Sequence, residues 1–351
     1  MQINLTKNKK TKVEDHNLGF GKIFTDHMFV MDYTKEKGWH NAMITPFENI
    51  SISPACNTLH YGQSIFEGMK AYIQNGKIAL FRPLDNFTRM NESAKRMALP
   101  TIDEKFILNA LEQLLIIEKD WIPTSEGTSL YIRPFMFGID ESLGVHPNNH
   151  IKFMIILSPS GAYFKDGLQP NKIFVENSYV RAVRGGMGFA KTAGNYACSL
   201  KGQEKAENFG YSQTLWLDAI EQKYIEEVGA MNIFFRINDT FITPELNGSI
   251  LSGITRKSVI SIIKDLGFKL EERKISLQEI YDAADNNELK EVFGTGTAAV
   301  IAPVGELFDG NKKIIINNFE IGEYSQKIYN ILTGIQTGKV KDKFNWVHIV
   351  D

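Results

Sequence analysis

One lysine in this 351-residue chain lies among residues small enough to let a flat molecule approach the backbone. The stretch from Arg181 to Leu200 reads RAVRGGMGFAKTAGNYACSL, and Lys191 is flanked by Gly185, Gly186, Gly188, Ala190, Ala193 and Gly194. Glycine accepts dihedrals closed to other residues and leaves space beside the chain. A lysine amine held in such a place can attack a carbonyl and form a covalent link. Read alone, the stretch is more simply a flexible surface loop with a solvated lysine.

Three further stretches offer complementary chemistry. Glu227 to Phe234, EVGAMNIF, follows an apolar strand, and Gly229 interrupts it. A carboxylate beside a ring nitrogen keeps that nitrogen protonated, because a close opposite charge shifts a pKa by about one to three units. Each unit is worth about 1.4 kcal/mol. The plainer reading is a strand-end glutamate in water. Leu251 to Ser258, LSGITRKS, sets Gly253 just ahead of a helix expected to begin at Thr255. Free amides at a helix start bind phosphate, and the helix dipole favours the anion; an ordinary threonine N-cap has the same appearance. Gly294-Thr295-Gly296-Thr297-Ala298 lies between two strand-like runs, where its amides and hydroxyls suit either an anion-binding nest or a tight turn. Neither glycine cluster follows the GxGxxG pattern, and GxxxxGK[ST] is absent, so nothing supports a nicotinamide cofactor or a P-loop. Together the four stretches supply a lysine amine, a carboxylate and anion-binding turns. Pyridoxal phosphate requires that set: a Schiff-base lysine, an acid for the ring nitrogen and a phosphate cup.

The elements that must position these residues call for two domains, since the length exceeds what one core usually serves. Hydrophobic content of 43% and charged content of 23% describe an ordinary globular protein. A net charge of -2 gives no bulk attraction to nucleic acid. No apolar run approaches the ~20 residues of a membrane helix. The basic run Lys7, Lys9, Lys10 and Lys12 has no apolar core behind it, so it reads as a loose tail rather than a signal peptide. Cys56 and Cys198 form no CxxC, and the seven histidines show no metal-ligand spacing. These features fit a reducing cytoplasm.

Strands are expected at 27–33 and 41–52, with a loop or short helix over 60–69. Asn75-Gly76 between two apolar runs predicts a hairpin. Asp85 is expected to cap a helix reaching Met97, and Asp103 a second helix whose apolar face is Phe106, Ile107, Ala110, Leu111, Leu114 and Leu115. Strands are expected at 129–138 and 152–158. The turn-rich segment 161–171 breaks the pattern. The expected division is therefore a small domain over 1–165 with a poorly ordered arm at 1–20, a connecting loop over 166–172, and a larger domain over 173–351 carrying Lys191. Beyond the loop, strands are expected at 172–177, 214–217, 224–228, 232–237, 291–293, 298–303 and 313–316. Helices are expected at 199–208, 255–266, from Ser276 to 285, and at 323–334. Strands and helices mix without strict alternation, which argues for two α+β or mixed α/β domains rather than a doubly wound fold.

With these elements in view, the chain resembles the branched-chain amino-acid aminotransferases, within the class IV aminotransferases of pyridoxal-phosphate fold type IV. The resemblance runs from about Phe20 to Trp346. It is carried by FTDHM (24–28), LHYGQSIFEGMKAY (59–72), LFRP (80–83), GTSLYIRP (127–134), SLGVHP (142–147), GAYF (161–164), KTAGNY (191–196), EVGAMNIF (227–234), LSGITR (251–256) and VFGTGTA (292–298). The subtype is similar to the larger, eukaryote-type enzymes, which does not exclude a bacterial source.

The resemblance implies a two-domain enzyme with the cofactor between the domains. It implies that Lys191 is the Schiff-base lysine, that Glu227 pairs with the pyridine nitrogen, and that Tyr196 bonds the cofactor's phenolic oxygen. Arg89 would hold the phosphate with Ile254, Thr255 and Thr297. Thr297 and Ala298 would bind the substrate α-carboxylate. Phe20, Tyr61, Phe66, Tyr131 and Tyr163 would surround the aliphatic side chain, and Arg133 would read the distal carboxylate of glutamate. Val145 would be lent by the partner subunit of a homodimer. The implied reaction exchanges amino groups between leucine, isoleucine or valine and 2-oxoglutarate, with amino acids and 2-oxo acids as the only ligands besides the cofactor. Ala230 stands where some relatives carry a cofactor-contacting threonine, which implies one hydrogen bond fewer. Ala299 and Ala302 replace the CxxC pair of mammalian relatives, which implies that their thiol switch is absent. Related activities on the same fold are D-amino-acid transamination and aminodeoxychorismate cleavage; Tyr61, Tyr131 and Tyr163 favour the branched-chain reading. Lys191, Glu227, Tyr196 and Arg89 argue against a non-catalytic carrier of the cofactor.

Overall fold

The computed structural model describes all residues except 163–166 and 351. The chain divides into two compact units: Met1–Lys165 with Ala190–Ala193 and Gly334–Asp351, and Asp166–Phe189 with Gly194–Thr333.

The elements are, in chain order, β1 (Gln2–Ile3), β2 (His27–Thr34), β3 (Gly38–Pro46), α1 (Asn57–Tyr61), β4 (Ser64–Phe66), β5 (Met69–Gln74), β6 (Lys77–Phe81), α2 (Pro83–Arg96), α3 (Glu104–Ile117), β7 (Ser129–Gly138) and β8 (His150–Ser160). There follow β9 (Asn171–Glu176), α4 (Ala193–Asn208), β10 (Gln213–Leu217), β11 (Ile225–Val228), β12 (Asn232–Ile237), β13 (Thr240–Thr243), α5 (Ile254–Asp265), β14 (Lys269–Glu272) and α6 (Leu277–Asp285). The last are β15 (Leu289–Gly296), β16 (Val300–Phe308), β17 (Lys313–Ile315), α7 (Glu323–Thr337) and β18 (Val347–Val350).

In the first unit the strand order is β1-β3-β2-β8-β7-β5-β6-β18, with β4 paired to β7. The β5–β6 turn has Asn75 at φ 49° and Gly76 at φ 80°. Two successive positive φ values match the twist of the flanking strands, which is why Asn-Gly predicts this hairpin. Along β7 the side chains alternate. Leu130, Ile132 and Met136 are buried, in one cluster with Phe87 and Met90 of α2 and Leu111 and Leu114 of α3. Tyr131, Arg133 and Phe135 are only half-buried, because period-2 alternation turns them to the sheet's other face. That face carries residues expected in the site.

Helix α3 starts as its sequence predicts, with Asp103 accepting from the amides of Lys105 and Phe106 at 3.0 Å each. Helix α2 corrects the expected cap. Arg82, at φ 50°, is the N-cap and Pro83 the first helical residue, so the helix begins ahead of Asp85. Proline's fixed φ starts a helix well at that position. Asp85 becomes a first-turn acid whose Oδ2 accepts from Arg82 Nε at 2.9 Å.

The N-terminal arm is docked rather than loose. Ile3 pairs with Ile44, the Thr6 amide donates to His27 Nε2 at 2.8 Å, and the Lys10 amide donates to Asp26 Oδ1 at 2.8 Å. Composition marks the arm as polar, but each backbone amide that finds a partner offsets part of the ordering entropy.

In the second unit the order is β11-β10-β9-β16-β15-β12-β13-β14, with β17 on β16. Helix α6 has the capping sequence Ser276-x-x-Glu279, and Ser276 Oγ accepts from the Glu279 amide at 3.1 Å. The short strands β13, β14 and β18 escape the sequence pattern. Four residues such as KLEE carry no apolar alternation, and only pairing to a neighbouring strand defines them.

Two segments expected in the C-terminal domain group with the first unit. Ala190–Ala193 does so because the Lys191 amide donates to Ser93 Oγ at 2.9 Å, the Phe66 amide donates to Lys191 O at 3.0 Å, and Thr192 bridges Ile65. Gly334–Asp351 does so because β18 pairs with β6.

Candidate active site

The first unit gathers five of the expected residues on the half-buried face of its sheet. Lys191 Nζ lies 4.8 Å from the centre of the Phe66 ring. The Arg133 guanidinium lies 4.7 Å from the same ring and 5.3 Å from that of Tyr131. Arg133 Nη2 donates to the Tyr131 hydroxyl at 3.2 Å. Phe20 packs edge-on against Tyr131 with ring centres 5.0 Å apart. Cations over aromatic faces gain about 0.5–1 kcal/mol when exposed and more when desolvated. The face therefore combines apolar walls with positive charge, as suits an amphipathic acid. Gly68 is required here because a methyl group in its place would run into the Tyr131 hydroxyl. Lys70 stands opposite Tyr131 in the β5–β7 ladder, and desolvation lowers its amine to about 8.

Behind this face, Arg89 of α2 is 5% exposed and forms two parallel bonds to Glu67, each 2.8 Å long. Glu67 is fully buried and also accepts from the Gly68 amide at 3.2 Å. Sequence reasoning missed Glu67. A signal was present, because Arg89 falls on the inward stripe of α2 between Asn86 and Ser93, and a buried guanidinium needs an anion. Tyr61 ends α1 and donates its hydroxyl to Leu143 O, while Asn57 Nδ2 donates to Gly144 O at 3.0 Å. These bonds hold the loop that presents Val145, which is 80% exposed. Tyr163 lies outside the described residues.

The second unit holds the remaining residues. Glu227, on β11, is 4% exposed. Its Oε1 accepts from the Leu251 amide at 2.8 Å, and its Oε2 lies 3.3 Å from Arg181 Nε. Asn232 Nδ2 donates to Leu251 O at 2.9 Å, so residue 251 is gripped at both its amide and its carbonyl. That grip fixes Glu227 relative to the start of α5. The helix begins at Ile254, one residue ahead of expectation, with Gly253 as N-cap and no side-chain cap bond. Its first amides thus remain available for an anion. Gly253 is small because a side chain there would collide with Asn232 Oδ1.

Across the β12–β15 ladder, Asn232 faces Thr295. The Thr295 hydroxyl is buried without a hydrogen-bond partner among the described residues. Thr297 and Ala298 form the following turn, half-exposed, ahead of Val300 at φ 63°. Tyr196 lies in the first turn of α4 and is half-buried. The segment leading to it packs closely, since a methyl group at Gly188 would collide with the carbonyl of Ser249. Arg181, like Glu67, was missed by residue-level reading. It is buried, and its Nη2 donates to Ser249 O.

Each unit, taken by itself, offers part of what a phosphorylated pyridine carbonyl compound needs. A helix start without a side-chain cap and an orphaned buried hydroxyl suit the phosphate. A buried carboxylate suits the ring nitrogen, and a lysine amine among aromatics suits the carbonyl.

Comparison with known proteins agrees. Residues 64–307 match the family model of class IV amino-transferases. Branched-chain-amino-acid aminotransferase 2 of Bacillus subtilis is 54% identical over 347 residues, covering 99% of this chain and 96% of its own. Branched-chain-amino-acid transaminase 1 of the same organism is 54% identical over 339 residues, covering 96% and 95%. Among solved structures, the Escherichia coli branched-chain amino acid aminotransferase superposes with a TM-score of 0.79 at 28% identity, covering 93% of this chain and 99% of that one. The branched-chain aminotransferase of the thermophilic archaeon Thermoproteus uzoniensis, solved with norvaline, superposes with a TM-score of 0.76 at 26% identity, covering 93% and 100%. By sequence and by fold the chain belongs to the branched-chain-amino-acid aminotransferase family of the class IV aminotransferases.

Proposed function

We propose that this protein exchanges amino groups between leucine, isoleucine or valine and 2-oxoglutarate, using pyridoxal 5'-phosphate linked to Lys191. The observation that carries the reading is the setting of Lys191. Its backbone is bonded through both amide and carbonyl, and its amine lies over Phe66, a ring that Arg133 also approaches. The cofactor, when bound, supplies an electrophilic carbonyl and a ring that accepts electrons from the substrate Cα.

The chain's residues do the rest. Lys191 would hold the cofactor covalently, and its freed amine would take the proton from the substrate Cα as a general base and deliver it, as a general acid, to the cofactor's former carbonyl carbon. Glu227 would hold the ring nitrogen in its protonated form. Tyr196 donates to the phenolic oxygen. The first amides of α5, at Ile254 and Thr255, hold the phosphate with Arg89 and Thr297. The Thr297–Ala298 turn takes the α-carboxylate. Phe20, Phe66 and Tyr131 exclude water from an aliphatic side chain, and Arg133 pairs with the distal carboxylate of glutamate. One methylene discriminates by only about 1–3 kcal/mol, so all three branched substrates are accepted.

Borohydride reduction of the loaded protein, followed by peptide mapping, is expected to place the adduct on Lys191. Lys191→Ala is expected to abolish transamination of leucine with 2-oxoglutarate while the fold persists. An adduct on another lysine, or full turnover by the variant, overturns the reading. The protein also acts as a homodimer in this proposal. Leu143 and Val145 are 70% and 80% exposed on a loop that Tyr61 and Asn57 hold in place, which suits donation to a second copy. Light scattering should report twice the chain mass; a monomer that turns over at full rate excludes a partner-lent Val145.

A further inference from the structure

Beside Glu227 stands a second buried carboxylate, Glu226, 3% exposed. The hydrogen bonds around it allow a count of protons. Ser249 Oγ lies within bonding reach of Glu226 Oε1 and 2.6 Å from Asn247 Oδ1. The Ser249 amide also donates to Asn247 Oδ1 at 3.0 Å, which fixes the oxygen of that side-chain amide toward Ser249. A serine hydroxyl has one hydrogen. If it served Glu226, two bare oxygens would face each other at 2.6 Å between Ser249 and Asn247. If it serves Asn247, the hydrogen between Ser249 and Glu226 must come from Glu226. The other oxygen, Glu226 Oε2, is buried without a partner among the described residues, which suits an uncharged acid and not an anion.

We infer that Glu226 is held as a neutral acid by Ser249 and Asn247, so that the Arg181 charge is left to Glu227. This rests on the reading that Glu227 meets the pyridine nitrogen. Arg181 and Glu226 are then positioning residues. Arg181 donates to Ser249 O and faces Glu227, while the Leu251 amide gives Glu227 the donor that an anion needs. Two neighbouring carboxylates share one buried cation, and the bonding pattern decides which of them is ionised.

Burial acts in the same direction, raising the Glu226 carboxyl above its ordinary range, with Ser249, Arg181 and Asn247 opposing and Glu227 adding. Glu226 also lines a cavity of about 410 Å³ with Arg184, Lys274, Asp218, Glu221 and Glu245. Asp218 is spent there on the amides of Ile220, Glu221, Lys223 and Tyr224.

The test is Glu226→Gln in the full chain, with stability measured against pH. A proton held more tightly in the folded state stabilises fully below the ordinary glutamate range, and that stability is lost as pH rises through the folded value. Glutamine cannot lose it. The variant is therefore expected to match the wild type in acid and to exceed it increasingly as pH rises. The wild-type infrared spectrum near neutral pH should show a carboxylic-acid carbonyl band that the variant lacks. With cofactor added, the absorbance–pH profile of Glu226→Gln should overlay the wild type, while Arg181→Met shifts it. If Glu226→Gln does not fold, Ser249→Ala, which removes the hydroxyl partner, should move the same band. A variant whose stability falls further behind with rising pH, or a wild type without the acid band, overturns the inference. The stability and infrared arms need no cofactor, so a borohydride adduct away from Lys191 would sink the functional reading and leave this result standing.

Discussion

The buried Arg–Glu pair of each unit is built differently. Arg89 and Glu67 meet as fork to fork, with two 2.8 Å bonds and no water-exposed face on the carboxylate. Arg181 and Glu227 meet at a 3.3 Å contact, and each also bonds backbone, at Ser249 O and the Leu251 amide. Parallel charge-assisted bonds fix orientation as well as distance. Arg89 is thus locked in place by a protein anion. Glu227 is steadied by the Leu251 amide and by a longer contact to Arg181.

The largest expected effect tests the locked pair. Glu67→Leu leaves a buried guanidinium without its carboxylate, and breaking such a pair costs about 3–5 kcal/mol. Urea unfolding should show that loss; a change below about 1 kcal/mol would mean that Glu67 is not the anchor. Arg181→Met should cost less, about 1–3 kcal/mol, because Glu227 keeps the Leu251 amide. Equal losses from the two variants would erase the distinction between the pairs.

Much of the local structure was legible in the sequence because its signals span only a few residues. The Asn75-Gly76 hairpin, the Asp103 cap and the Ser276–Glu279 capping box each rest on side chains acting on backbone two to three residues away. The chemistry around Lys191 and Glu227 could be named from residue type and neighbouring glycines. The partners of the buried charges could not. Glu67 lies 22 residues from Arg89 with no repeating period to relate them. The start of α2 was misplaced because Asp85 looked like a cap, whereas Pro83 set the helix earlier.

The sequence by itself determined most of the longer elements and the family, since these depend on local propensity and on ordered motifs, and it singled out Lys191 as the candidate reactive lysine. Only the tertiary structure decided that Ala190–Ala193 groups with the first unit, that the polar N-terminal arm is bonded down, and that Glu67 and Arg181 attend Arg89 and Glu227. The physical reason is desolvation. A buried charge or amide must be satisfied by whichever group folding brings within about 3 Å, and chain separation does not enter that requirement.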